Sequence, residues 1–197
     1  MNWASISTKK KILIGMAVPL ILMMMLGAVS LNSIGKITQT SAWVNHTHEA
    51  LSNADDIVAA AVDMETGMRG YLLAGKEDFL APYRQGEAEV YKRIETLQKT
   101  VSDNPGQVQR LGEAESVLQD WQRNVADPMI SLRGEVGSTK TMDDVVSLVG
   151  EARGKAYFDQ FRQLMADFSA EEQSLMAVRK EQNAATEAQT TLMIWGG

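Results

Sequence analysis

An apolar run near the N-terminus constrains this chain more than any other feature. Three lysines, Lys9 to Lys11, precede it, and no charged residue follows until Lys36. The run supplies roughly 20 mostly apolar residues, or about 30 Å of helix, which is enough to cross a hydrocarbon core. A secretory signal peptide is the competing interpretation, but its apolar core is usually only about 7–15 residues long. The pattern therefore predicts a transmembrane helix over residues 12–33.

Charges on the two sides of this segment predict its orientation. The lysines favour a cytoplasmic N-terminus over residues 1–11, because short basic flanks stay on the cytoplasmic side of a membrane. Every acidic residue follows the run, and removing the three lysine charges from the net charge of −6 leaves −9 for the rest of the chain. We therefore expect residues 34–189 to form a domain outside the cytoplasm.

The C-terminal residues repeat the apolar character of the first span. Residues 190–197 are uncharged and mostly apolar or small, and Trp195 suits the interfacial belt of a membrane. We interpret them as the start of a second transmembrane helix, and the chain as the front portion of a longer receptor. A self-contained protein with a single span and an apolar tail is the alternative.

The region between the two apolar segments has a helical pattern almost throughout. A heptad repeat leaves the membrane segment and continues to Leu72, which predicts one long first helix that Gly75 ends. A second helix stops at a turn over residues 102–106, and Pro128 is expected to kink or end the regular part of the third. Together with a phenylalanine-rich last helix, this pattern predicts an all-α fold, an antiparallel up-down four-helix bundle.

Polar residues recur at one position of the first heptad repeat. Ser41, His48 and Asp55 share this position with Arg69. They form either a satisfied polar stripe that faces solvent or another helix, or the seam of a homodimer in which polar residues set the register of two first helices. The sequence leaves both explanations open.

Composition excludes several classes of function. Without cysteine there is no disulfide, thiolate metal site or cysteine nucleophile. His46 and His48 are two residues apart on a helix and face different directions, so they do not form a helical metal pair. A pI near 5.0 argues against nucleic acid as a partner. Since no activated nucleophile accompanies the carboxylates, we expect no enzyme, no metal and no cofactor.

Residues 63–75 (DMETGMRGYLLAG) resemble the signature segment of the CHASE sensory domains of the third class. The later pattern, from Asp127-Pro128 through Gly154-Lys155 to Arg179, is similar to the same family in order and spacing. This resemblance covers nearly the whole of residues 36–189. The N-terminal segment, with Trp3, Lys9 to Lys11, Gly15 and residues 27–34, is more loosely similar to the front of methyl-accepting chemotaxis proteins.

The resemblance implies a homodimeric receptor in the bacterial inner membrane. Its periplasmic bundle would receive a small-molecule or protein signal and pass a helix displacement across the lipid bilayer. The main prediction is a chemoreceptor of the methyl-accepting class, which acts on the chemotaxis kinase and its adaptor through a cytoplasmic part absent from this chain. The alternatives are the sensor region of a transmembrane histidine kinase or diguanylate cyclase, and a non-catalytic membrane-anchored adaptor.

Charged residues of the signature segment predict an ionic network. Glu65 and Arg69 are four residues apart on a stripe that we expect to face inward, where charges need partners. Antiparallel pairing places Asp159 and Arg162 of the last helix at about the same height. We therefore expect a crossed network of these four residues.

Two roles for this network stay open. It either fixes the register of the bundle and binds nothing, or it forms an anionic ligand site with Arg69 or Arg162 as the anchor. Tyr71 is a further candidate ligand-binding residue of the same segment. Gly67 and Gly70 are expected to let a neighbouring helix approach closely.

Overall fold

The computed structural model describes residues 7–195, and most of them are helical. The helices are α1 (Thr8–Ala74), α2 (Ala81–Thr100), α3 (Pro105–Trp121), α4 (Asp127–Gly134), α5 (Met142–Gly150) and α6 (Arg153–Trp195). A 3₁₀ turn, Glu77–Leu80, precedes α2, and a π-helical turn, Gln122–Ala126, joins α3 to α4. Residues 1–6 of the predicted cytoplasmic segment and residues 196–197 of the predicted second span lie outside the described residues.

The chain divides into two compact units, and the first contains residues 1–45 and 176–197. Its part of α1 carries the apolar run, where Leu13 and Met23 are each 72% exposed. Within residues 7–195, α1 is the one helix long and apolar enough to cross a membrane. The guanidinium of Arg179 on α6 lies over the ring of Trp43 on α1, 4.1 Å from its centroid. The first and last helices are therefore in contact in this unit, as predicted.

The second unit, residues 46–175, is the predicted four-helix bundle. Its four members are α1, α2, α3 with its continuation α4, and α6. Trp121 and Phe158 meet edge to face at the centre, with ring centroids 5.0 Å apart. Helix α2 and the residues on either side of it contribute six buried side chains to the core: Leu80, Tyr83, Val90, Ile94, Leu97 and Val101.

The buried face of α1 is offset by one residue from the predicted stripe. This face is formed by buried residues, namely Thr47, Ala50, Ala54, Ile57, Ala61, Met64, Met68 and Tyr71. Glu65 and Leu72 of the predicted stripe are buried as well. Ser41, His48, Asp55 and Arg69 are exposed instead, so the expectation that Arg69 faces inward is wrong. The two stripes share the seven-residue period, and the smaller alanine side chains of the buried one let neighbouring helices pack closely.

Gly75 ends α1, as predicted. Its backbone has a φ of +65°, in the left-handed region that favours glycine, and its N–H donates to the carbonyl of Tyr71 at 2.8 Å. Arg133 Nε donates to the carbonyl of Leu72 at 2.8 Å. A Cβ on residue 75 would overlap the Arg133 guanidinium, so glycine provides both the backbone conformation and the space.

The predicted turn over residues 102–106 is also confirmed. Asn104 caps α3 through its side-chain oxygen, which accepts from the N–H of Gln107 at 3.3 Å. Pro105 is the first residue of α3, where its missing N–H is not needed.

The predicted interruption near Pro128 takes the form of the π-helical turn. Proline has no N–H, and its ring collides with the carbonyl four residues earlier, here that of Asn124. The extra residue of a π turn relieves this conflict. Gln122 in this turn donates to Glu87 Oε1 at 2.9 Å and to the hydroxyl of Tyr83 at 3.3 Å, so the turn also anchors a polar cluster on α2.

Candidate functional site

A cavity of about 220 Å³ opens within the second unit. Residues from α1, α3, the π turn, α4, α5, α6 and the connection between α5 and α6 line it. Its apolar walls are Met68, Leu72, Val125, Met129, Val149 and Ala152, and its polar groups are Glu65, Arg69, Trp121 and Lys155, with Gly154 beside them. An apolar pocket with a few convergent polar groups is the usual form of a small-molecule site.

Glu65 holds the arginines of two helices together. Its side chain is only 11% exposed, and its carboxylate lies 2.7 Å from Arg69 Nη2 and 3.6 Å from Arg162 Nη2. The guanidinium of Arg162 also lies over the ring of Phe158, 5.5 Å from the centroid. The carboxylate therefore joins α1 to α6 by charge-assisted contacts.

The structure brings together three members of the predicted four-residue network. Asp159 is the exception, because its carboxylate pairs with Lys155, four residues earlier on α6. A partner one turn away on the same helix is within reach at any register of the bundle, whereas a cross-helix pair depends on that register. The prediction of a crossed network is therefore wrong for Asp159.

Trp121 directs an indole N–H toward the cavity. The residue is 1% exposed, and its ring contacts Tyr83 as well as Phe158. A Cβ added to Gly154 would lie 3.6 Å from Trp121 Nε1, so the glycine keeps the space next to the N–H open.

Ala152, which forms part of the cavity wall, has a strained backbone conformation. Its φ of +53° lies in the left-handed region, which costs a non-glycine residue on the order of 1–2 kcal/mol. Two hydrogen bonds hold it there: its N–H donates to the Val149 carbonyl at 3.1 Å, and its carbonyl accepts from the Lys155 N–H at 3.1 Å. Strain of this kind persists where surrounding structure imposes it, and it clusters at ligand sites.

Tyr71 and Arg162, two of the three predicted ligand-binding residues, do not line the cavity. Tyr71 is buried, and its hydroxyl lies near Gly134. Arg162 reaches the site only through Glu65. Arg69 is the predicted ligand residue that lines the cavity itself.

The glycines of the signature segment allow the close helix approach that we expected. A Cβ on Gly67 would lie 2.6 Å from the backbone N of Tyr83, and one on Gly70 would lie 2.9 Å from the ring of Phe79. The dimer seam of Ser41, His48 and Asp55 is exposed and stays a prediction.

Of the eleven residues that line the cavity, the sequence assigned only Glu65 and Arg69 to a site, and Trp121, Gly154 and Lys155 are among those it missed. The sequence pattern identifies Gly154-Lys155 only as part of the family resemblance. No local signal could have revealed the cavity, because its walls come from positions between 65 and 155 that meet only in the folded bundle.

Residues 40–182, which include every residue of the cavity, match the CHASE3 domain family. The chain belongs to the CHASE3 family. CHASE3 domains are extracytoplasmic sensory domains, so the predicted sensory role and helical-bundle fold are confirmed. The looser resemblance of the N-terminal segment to methyl-accepting chemotaxis proteins stays a prediction.

The fold is similar to that of a solved structure, the sensor domain of the Rhodopseudomonas palustris histidine kinase HK9. The two chains are 22% identical with a TM-score of 0.58, and the similarity covers 66% of this chain and 98% of that one. At this identity, the likeness establishes a shared fold. No curated protein sequence matches the chain.

Proposed function

We propose that this chain is the sensory and membrane-spanning part of a bacterial transmembrane histidine kinase. The observation that carries the proposal is the continuity of α1, a single helix of 67 residues that holds both the apolar run and the cavity residues Glu65, Arg69 and Leu72. Membership of the CHASE3 family supports the sensory role. The fold shared with a histidine kinase sensor domain favours a kinase output over a chemotaxis output.

The signal in this proposal is a displacement of α1 relative to α6. A ligand in the cavity contacts α1 at Arg69 and α6 at Lys155, and it alters the contacts that Glu65 makes between the two helices. Packed helices move as rigid elements, typically by about 1–2 Å. The domain carries out no chemistry of its own, and catalysis belongs to the cytoplasmic output.

The proposal includes a homodimer in the bacterial inner membrane, with the N-terminus in the cytoplasm. The lysines before the apolar run support this orientation. The exposed stripe of Ser41, His48 and Asp55 alternates with the half-buried Leu51 and Val58, a pattern suited to a contact between two copies of α1.

A chemoreceptor is the second candidate, and the similarity of the N-terminal segment to methyl-accepting chemotaxis proteins favours it. Sequencing the native gene beyond the codon for Gly197 separates the candidates. A phosphoacceptor helix pair followed by an ATP-binding domain supports the kinase, and a long methyl-accepting coiled coil supports the chemoreceptor. A cyclase domain would identify a diguanylate cyclase, and a stop codon would favour the adaptor.

Signal transmission through α1 can be tested without knowing the ligand. The full chain is fused to the cytoplasmic part of a histidine kinase, and residues are inserted after Gln39 in α1 and after Lys180 in α6. Two inserted residues rotate the part of each helix after the insertion by about 200° relative to the part before it, whereas seven inserted residues rotate it by only about 20°. We expect the two-residue insertion to change the autophosphorylation rate severalfold and the seven-residue insertion to leave it within about twofold. Equal rates in all three proteins would contradict the proposal.

A further inference from the structure

The polar groups that reach the cavity are nearly all hydrogen-bond donors. Arg69 is 65% exposed and places one nitrogen, Nη2, on Glu65, which leaves its other N–H groups available. Lys155 contributes an ammonium that is already paired with Asp159, and Trp121 contributes its indole N–H. Glu65 is the one acceptor side chain in the lining, and two arginines already contact it. A ligand that matches this site must therefore accept hydrogen bonds.

The charges at the site favour an anion. Glu65 and Asp159 contribute two negative charges, while Arg69, Lys155 and Arg162 contribute three positive charges, so the local sum is +1. The net charge of −6 on the chain opposes an anion at long range. Salt screens that repulsion beyond about 10 Å, whereas the donors of the cavity act at contact distance.

The rest of the cavity is apolar and small. Its volume of about 220 Å³ exceeds the roughly 150 Å³ that accommodates benzene in a protein interior. One ring, or a branched chain of similar size, can therefore pack against Met68, Val125 and Met129 with space left for a small charged group.

We infer that this cavity binds a small carboxylate with an apolar body. The carboxylate accepts hydrogen bonds from Arg69 and from the indole N–H of Trp121, and the body packs between α1 and the π turn. The inference rests on the proposed sensory function and names the class of ligand that the sensor receives.

Benzoate is the probe that tests this assignment. Isothermal titration of the full chain in lipid nanodiscs compares benzoate with benzyl alcohol and benzylamine, which have the same ring and a neutral or positive group. We expect saturable benzoate binding, with the two other compounds at least about tenfold weaker, a difference of about 1.4 kcal/mol. Absence of benzoate binding with a Kd below about 1 mM, or equal binding of benzyl alcohol, would overturn the assignment.

Matched variants locate the binding. Arg69→Gln removes a cation that lines the cavity, and Arg84→Gln removes one of similar exposure, 62%, that pairs with Glu77 outside it. We expect Arg69→Gln to weaken benzoate binding at least about tenfold and Arg84→Gln to leave it within about twofold. Equal effects of the two substitutions would place benzoate elsewhere and overturn the assignment.

Gly154→Ala gives a test that does not remove a core side chain. Its methyl group would lie 3.3 Å from Val125 and 3.6 Å from Trp121 Nε1, inside the space proposed for the carboxylate. Alanine favours helix, so the substitution maintains α6. We expect at least a tenfold loss of benzoate affinity, on the order of 1.4 kcal/mol, and unchanged affinity would overturn the assignment.

The titrations test the ligand and the insertion experiment tests signal transmission, so either claim can be rejected without the other. If benzoate does not bind, the ligand assignment is rejected, and the inserted residues still change the autophosphorylation rate. Benzoate binding together with insensitivity to the insertions would instead reject transmission through α1 while retaining the site.

Discussion

Gly67→Ala tests the close approach of α1 to the start of α2. The added Cβ would lie 2.6 Å from the backbone N of Tyr83 and 3.2 Å from the carbonyl oxygen of Phe79. Both atoms belong to the backbone, so neither can rotate away as a side chain could. Gly86 on α2 makes the reciprocal contact, because its Cβ would overlap the carbonyl oxygen of Ala60. The start of α2 must therefore shift away from α1.

The size of the effect follows from two opposing contributions. Overpacking that shifts the backbone destabilises a core by about 1–3 kcal/mol. Alanine is better than glycine in a helix by up to about 1 kcal/mol. After the helix preference is subtracted, we expect the free energy of unfolding to fall by up to about 2 kcal/mol and the thermal midpoint by up to about 8 °C, measured by circular dichroism on the full chain in detergent micelles.

Gly112→Ala is the matched control in α3. Its nearest neighbour would be Gln98 Nε2 at 3.7 Å, an ordinary contact distance, so only the helix preference changes. We expect this variant to be more stable than the wild type by about 0.5–1 kcal/mol. A midpoint for Gly67→Ala at or above that of Gly112→Ala would refute the reasoning that α1 and α2 touch through their backbones.

Three further predictions concern the ionic contacts, the buried tyrosine and the dimer seam. Glu65→Gln leaves two arginine charges without their shared carboxylate, so we expect thermal unfolding to show a loss of about 1–3 kcal/mol, and wild-type stability would contradict the role of Glu65. Burial, with the nearby Asp127 carboxylate as a smaller cause, raises the pKa of Tyr83 from 10.0 to about 12. The stabilisation from its neutral phenol is complete below pH 10 and is lost as the pH rises toward about 12, by up to on the order of 2–3 kcal/mol. Urea titrations of Tyr83→Phe should therefore show a smaller loss of stability between pH 10 and 12 than the wild type. The same pH dependence in both proteins would contradict the raised pKa of Tyr83. His48→Cys should crosslink two copies in membranes, and a folded bundle that does not crosslink would reject the dimer seam.

Short-range signals made the end of α1 and the turn between α2 and α3 predictable from the sequence. Gly75 ends α1 because a left-handed residue favours glycine, and Asn104-Pro105 starts α3 because a capping side chain and a proline suit the first turn. Each signal acts over a few residues and needs no information about the rest of the fold. The apolar run and the signature segment are likewise contiguous, so the candidate span and the family were recognisable directly.

The buried face of α1, the register of the helices and the cavity depend on packing between residues that are far apart in the sequence. Two stripes of α1 share a heptad period, and the choice between them depends on how closely the alanine-rich face fits the other helices. The same packing sets the register that joins Glu65 to Arg162 and leaves Asp159 with Lys155. The cavity is the clearest case, because the Trp121 N–H and Arg69 lie 52 positions apart in the sequence and line one space only after the helices assemble. Local preferences act along the chain, whereas a cavity exists only between surfaces that folding brings together.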